Sequence, residues 1–533
     1  MAQPKFALEV LPSLGMNTAL NPAQLPQGAN RIAYDAEMKA INTIGKRPGS
    51  APVTNSALGS GITLLIPYKA AASSVAPDLF AVSGTTLYKF NGTDTLTAQT
   101  MTNALDSSNV FGVGYTDYAD VSNLLLTSGG YLKQYDGTQV KNVTPAADDP
   151  SPPVNKLTTI NARGLKYIWV HTGHVFVSDG TDLMWYSKRY HYDYFPGDVQ
   201  YFRFIRDNDY VTGPGITYNN QCLIPMRRGW GVIIGETFDD GSSANPFKAN
   251  LYLNTVTGNI APKGFTKVTY PNGTQTIVFL SDDGVHEIYD TGVDEVETSG
   301  TRQYSTRALM KEKIDFASYG FTDAEKSAAV ATFNPDKNQF MLSIKRDTTN
   351  YIFVYDTRNQ EWYLWRSPWA VQAFSKFNDT LYFGTTTGHL HAYSDDLYTD
   401  WNDKAKTTGT VVDFDVISGL ISFEFSGDNS YLHHYLTESQ MYNQKSSLDV
   451  YMVYGTGVVN LPKALYNEIF VWGVTSWGEG QWANLEYTDN VNNAKRLVIH
   501  KKAKYFQRRW RNNRDEPTLI LREKFLGTTS NRG

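Results

Sequence analysis

His389 and His391 are separated by one residue in a stretch, Thr387-Gly388-His389-Leu390-His391-Ala392-Tyr393, that reads as a turn entering a strand. Strand alternation sets both rings on one face, as a metal pair requires. No third ligand can be named beside them, and no metal is assigned. The single cysteine, Cys222, enters an apolar run, Leu223-Ile224, with nothing cationic next to it to lower its pKa, and reads as a buried inert thiol. Gly45-Lys46 is followed by Arg47 instead of Ser or Thr, and no strand delivers it, so a phosphate-binding P-loop is excluded. Ser281-Asp282-Asp283-Gly284 and Asp239-Asp240-Gly241 offer carboxylates for glycoside chemistry, which needs two carboxyls about 5 Å apart in its retaining form. Both segments carry the signature of hairpin turns, and no catalytic residue is assigned to either.

The most lopsided charge lies near the end. Lys495, Arg496, Lys501, Lys502, Lys504, Arg508, Arg509, Arg511 and Arg514 fall within a stretch without acids, interleaved with Tyr505, Phe506 and Trp510. Basic groups alternating with rings suit stacking on bases or saccharides. The same pattern suits a strand, Tyr505 to Asn512, whose polar face docks on an acidic neighbour. Lys501, Lys502, Lys504, Arg508, Arg509, Arg511 and Arg514 are therefore candidates for an interface or a nucleic-acid contact, with the interface favoured.

These groups sit on a chain that repeats. Seven times a short apolar strand passes through a Gly or Asp turn into a second strand that closes on an aromatic residue and another polar turn. The closing residues are Phe90, Tyr135, Tyr186, Phe238, Tyr289, Tyr355 and Tyr393, at intervals of 45, 51, 52, 51, 66 and 38 residues. A strand-filled period near fifty predicts a β-propeller, whose blades bury their faces only against each other. The fold class is mainly β: six to seven blade-like units over 56–400, an N-terminal arm over 1–55, and a C-terminal β-sandwich or platform domain over 401–533. The best helical candidate is the short run Phe321 to Ala331.

Composition narrows the function classes. A net charge of −5 over 533 residues does not draw the whole molecule onto nucleic acid or an anionic membrane. One cysteine excludes intrachain disulfides and multi-cysteine metal sites. Pro4, Glu9 and Pro12 interrupt any signal-peptide core, and no stretch approaches the roughly 20 apolar residues of a membrane-spanning helix. The tyrosine-rich segment 190–215 reads as a long insertion of the kind that contacts other molecules.

The arm carries Gly15-Met16-Asn17, Asn21-Pro22, Pro26-Gln27-Gly28-Ala29-Asn30-Arg31 and Gly45-Lys46-Arg47-Pro48-Gly49. In that order these elements resemble the opening of tail nozzle (tail tubular, tail hub) proteins of short-tailed bacteriophages. Tyr355-Asp356-Thr357-Arg358-Asn359-Gln360-Glu361-Trp362-Tyr363-Leu364-Trp365 and Leu381-Tyr382-Phe383-Gly384-Thr385-Thr386-Thr387-Gly388-His389-Leu390 resemble the propellers of the same family. The resemblance implies a virion structural protein without catalytic residues or cofactors, made in the host cytoplasm. It implies six copies in a ring below the portal and its adaptor, contacts to tail fibre or tip proteins, and a lumen through which DNA passes without sequence-specific binding. The basic cluster departs from what a lumen face requires, which favours an interface for it. A propeller adhesin for a host receptor and a propeller glycan hydrolase are the alternatives.

Overall fold

The computed structural model describes residues 5–10, 14–40, 42–69, 76–147, 154–204, 209–235, 247–250, 257–293, 302–421, 430–440, 447–454, 463–466, 492–503 and 506–529. Among these residues, seven mainly antiparallel sheets follow one another along the chain as the blades of a propeller. Their first strands are Ile62–Tyr68, Phe111–Thr116, Tyr167–His171, Ile216–Tyr218, Phe265–Thr269, Val330–Asn334 and Val371–Phe377. The first strand of blade 7 packs against that of blade 1, which closes the circle. The closing aromatics Phe90, Tyr135, Tyr186, Tyr289, Tyr355 and Tyr393 all lie on third strands of successive blades. Phe238, with the turn Asp239-Asp240-Gly241, lies outside the described residues.

Large apolar side chains alternate on both faces of each blade because both faces are covered by neighbours. Tyr68 and Phe80 of blade 1 pack with Leu124 and Tyr135 of blade 2. Trp230 of blade 4 meets Phe265 and Phe279 of blade 5 edge to face, at 5.9 and 5.1 Å. Burial of each such side chain contributes roughly 1.5–3 kcal/mol. The centre of the ring is narrow enough for one side chain to cross. Lys263, at the entry to blade 5, donates from Nζ to the Thr63 carbonyl of blade 1 at 2.6 Å and lies over the Phe111 ring of blade 2 at 5.1 Å.

Blade 7 takes three strands from the end of the repeat and its fourth from the arm. Gly49–Pro52 pairs antiparallel with Leu390–Ser394, in the register His391 to Pro52 and Ser394 to Gly49. The arm also continues blade 6. Asn30–Tyr34 adds beside Glu361–Ser367, followed in one nine-stranded sheet by Phe414–Ser418, Phe506–Asn512, Ser447–Tyr454 and Lys463–Tyr466. A second, six-stranded sheet contains Ala36–Met38, Ile44–Lys46, Leu519–Thr529, Ser430–Gln440, Asn492–Ala503 and Lys5–Val10. The platform formed by these strands is thus joined to the propeller through shared backbone hydrogen bonding. One apolar core runs from Phe353 and Trp362 of blade 6 through Met38 and Ile44 of the arm to Phe414, Trp510 and Phe525 of the platform. Helix is scarce: Asp323–Ser327, within the expected segment, is one short turn whose Thr322 and Glu325 form a reciprocal cap.

Candidate functional site

Among the described residues the densest concentration of buried polar chemistry is the joint between propeller and platform, and the arm builds it. Gly15 lies flat against blade 6: a Cβ there would sit 2.5 Å from the Trp362 carbonyl oxygen and 2.8 Å from Glu361 Cβ. Only a residue without a side chain permits this approach, and Met16 N–H then donates to that same Trp362 carbonyl at 2.7 Å. The Asn30 side chain donates to the Leu14 carbonyl at 2.7 Å. Trp365 Nε1 donates to the Ala36 carbonyl at 2.9 Å.

Charged groups alternate across the joint. Arg47 and Asp35 are both almost completely buried, with Arg47 Nε donating to Asp35 at 2.7 Å. The other face of the guanidinium forks onto Asp400, which Ser50 also contacts at 2.8 Å. Asp35 in turn accepts from Arg366 Nε of blade 6 at 2.9 Å, and Arg366 donates to the Asp413 carbonyl of the platform at 2.7 Å. Burial works to lower the Arg47 pKa, but the carboxylates of Asp400 and Asp35 outweigh it and raise the pKa above its ordinary value. A chain of alternating signs therefore leads from blade 7 through the arm and blade 6 into the platform.

The basic strand enters the same chain. Phe506–Asn512 alternates strictly, with Phe506, Arg508, Trp510 and Asn512 buried and Gln507, Arg509 and Arg511 half-buried. Arg509 forks onto Asp415 at 2.7 Å through both nitrogens, and Arg511 onto Asp413 at 3.0 Å. Arg508 stacks on the Trp510 ring at 3.5 Å and donates to Asn30 Oδ1 at 3.3 Å. Arg514 is exposed, and its carbonyl accepts from Lys46 Nζ. Lys501 and Lys502 lie on Asn492–Ala503 opposite Leu432 and Tyr431; Lys504 lies outside the described residues. The acidic neighbours of Arg509 and Arg511 are thus residues of the same chain. Asp413 and Asp415 share the alternate spacing of their partners, a sequence signal that could have pointed to them but was not used.

A cleft of about 340 Å³ opens beside the joint, lined by Glu37, Lys39, Lys46, Lys337, Arg358 and Asp395 among others. Glu37 is buried and accepts from Lys39 at 2.5 Å and from Lys337 at 3.3 Å. Burial works against its ionisation, but the two ammonium groups prevail and hold the carboxyl at about 2. Lys337 also pairs with Asp395, and Arg358 with Asp356. Cations and carboxylates compensate each other here, so the cleft is a cross-braced seam.

The remaining sequence candidates are scattered. Ser281 and Gly284 are paired at a hairpin turn, where Asp282 takes a fork from Arg227 at 2.7 and 2.8 Å and Asp283 contacts His286. Cys222 is fully buried, which pushes its thiol far above the usual range. His389 and His391 lie together in blade 7, 5.9 Å apart by ring centroid. Among the described residues no group of three or more His, Cys, Asp or Glu side chains is arranged to hold a metal ion, and no helix is long and apolar enough to cross a membrane.

No protein-family model matches the chain, and no curated protein matches it. Solved structures similar to it include virginiamycin B lyase from Staphylococcus aureus, at 10% identity and TM-score 0.39 over 65% of this chain and 98% of that one. BamB from Moraxella catarrhalis is similar at 11% identity and TM-score 0.34, over 65% and 97%. The extracellular domain of the putative one-component system BT4673 from B. thetaiotaomicron is similar at 11% identity and TM-score 0.38, over 93% of this chain and 63% of that one. The chain is a mainly β protein built on a β-propeller, as its own sheet order and ring closure establish.

Proposed function

We propose that this chain is a structural component of a short-tailed phage virion, a tail nozzle or hub, with no reaction to run. One observation carries the reading. The arm and blade motifs that resemble the nozzle family are in contact with each other: Gly15 and Met16 sit on Trp362, and Trp365 holds Ala36. A motif retained for catalysis would converge on a cleft with free acids and bases; these residues converge on a mechanical joint. In this reading six copies form a ring against the portal and its adaptor, tail fibre or tip proteins attach to it, and DNA passes through the lumen. A net charge of −5 suits a wall that DNA must slide past, since a basic wall would hold phosphate.

Incubation of purified protein with portal–adaptor complexes, followed by electron microscopy, tests the reading. A ring of density on the adaptor is expected; protein that neither assembles nor binds such a complex overturns it.

A specific surface favours the adhesin as a second reading. Tyr118, 72% exposed, stacks on His191 at 4.5 Å, and its backbone N–H donates to the Tyr190 carbonyl at 3.1 Å. Tyr190 is itself 44% exposed. Aromatic faces presented in this way suit the C–H face of sugars. In this reading Tyr118→Ser abolishes binding of the purified protein to host cells; unchanged binding removes the adhesin from consideration.

A further inference from the structure

In and beside blade 7 lie polar atoms for which the described residues supply no partner. His391 is fully buried, and neither of its ring nitrogens makes a hydrogen bond. His389 Nδ1, Trp369 Nε1 and Thr54 Oγ1 are buried in the same condition. These groups are neighbours. The His391 ring lies 4.7 Å from Trp369, 5.9 Å from His389 and 5.1 Å from Phe383, on which it stacks. Val53 N–H donates to the Leu390 carbonyl at 2.8 Å, which carries Thr54 alongside His389. A neutral imidazole has one donor and one acceptor, and a folded interior rarely leaves both unsatisfied without a bound water or ion to meet them.

The geometry suits an ion. Alternation along Leu390–Ser394 and the residue before it turns both rings to one side. Two imidazoles sharing one metal lie roughly 5–6.5 Å apart by centroid, given a metal–nitrogen bond of about 2 Å, and the observed separation falls within that span. The surroundings are aromatic, and none of the groups named carries a negative charge. A singly charged ion is much less costly to desolvate there than a doubly charged one, and imidazole is a fitting ligand for copper.

We propose that His389 Nδ1 and a ring nitrogen of His391 bind one transition-metal ion per chain, with monovalent copper the matching species. The test is an anaerobic titration of tag-free, full-length protein with Cu(I) against a chromophoric chelator, with Zn(II) dialysis in parallel. One copper per chain is expected, with affinity lower by roughly 100-fold or more in His389→Gln and in His391→Phe. Copper is expected to raise the unfolding midpoint of the wild type alone. Should His391→Phe fail to fold, the less buried His389→Gln carries the comparison. Uptake below one equivalent, uptake unchanged in His389→Gln, or an internal water between the rings with no copper taken up would each overturn the proposal.

Discussion

Arg47 and Asp400, 353 residues apart in the chain, meet in the interior, where the two terminal guanidinium nitrogens donate to the two carboxylate oxygens at 3.2 and 2.6 Å. The third nitrogen is committed to Asp35. Removing the guanidinium takes the buried Asp400 from its cation, leaving it the Ser50 hydroxyl, while Asp35 keeps Arg366, so Arg47→Met is expected to cost about 3–5 kcal/mol. Arg47→Lys keeps the charge without the fork and recovers only part of the loss. Denaturant unfolding measures both; a loss under about 1 kcal/mol for Arg47→Met would show the pair to be dispensable.

Gly15→Ala inserts a methyl group against the Trp362 backbone. Backbone cannot swing aside as a flexible side chain does, so the arm must shift and the Met16 hydrogen bond must lengthen. A loss of about 1–3 kcal/mol is expected. Faster hydrogen exchange at Met16 in the variant would localise the effect; an unchanged unfolding midpoint would refute it.

Acid should loosen the seam beside the joint. The Glu37 carboxyl titrates at about 2 in the folded protein, below its ordinary value of 4.5. A carboxyl with a lowered folded pKa gives stability that is complete above the unfolded value and fades as pH falls through the folded one. Glu37→Gln is therefore expected to be less stable than wild type near neutrality and to converge on it between pH 4.5 and 2. A constant gap across that window would contradict the assignment.

Alkali should act in the opposite sense at the ring centre. Burial lowers the Lys263 pKa from 10.5 to about 8, and no carboxylate among the described residues pairs with it. The unfolded chain then holds the extra proton between those values, and stability rises with pH across them. Lys263 keeps some solvent contact along its length, so Lys263→Met is expected to stabilise the protein at pH 7 by only about 1–2 kcal/mol. It should also flatten the alkaline rise in part, because Lys46, likewise lowered to about 8, remains. A destabilised Lys263→Met with an unaltered pH profile would mean that the Thr63 hydrogen bond outweighs the burial penalty.

What the sequence made legible was local. A third strand and its closing aromatic, such as Lys133–Tyr135, lie within a few residues of the turn that ends them, so hydrophobic alternation and turn chemistry reveal them together. The seventh blade's fourth strand escapes this logic. Gly49–Pro52 is too short and too poor in apolar residues to signal a strand, and its partner lies near residue 390. The basic strand was legible as a strand and as a charge anomaly, and its alternation was visible in Arg509 and Arg511. Its partners were not, because Asp413 and Asp415 are brought opposite it by sheet pairing across some ninety residues. The unpartnered nitrogens of His391 depend on where Trp369 and Phe383 pack, which no spacing rule encodes.

The strand that completes blade 7 precedes the other six blades in sequence, and its partner is among the last strands of the repeat. At roughly 5–20 residues per second, Gly49–Pro52 must wait on the order of 20–70 s before Leu390–Ser394 leaves the ribosome. Through that interval six blades can condense in order, yet the circle stays open and Gly49–Pro52 has no strand to pair with. Closure is thereby tied to synthesis of the last blade, and a product terminated before Leu390–Ser394 is left with an unsealed ring and with Gly49–Pro52 unpaired.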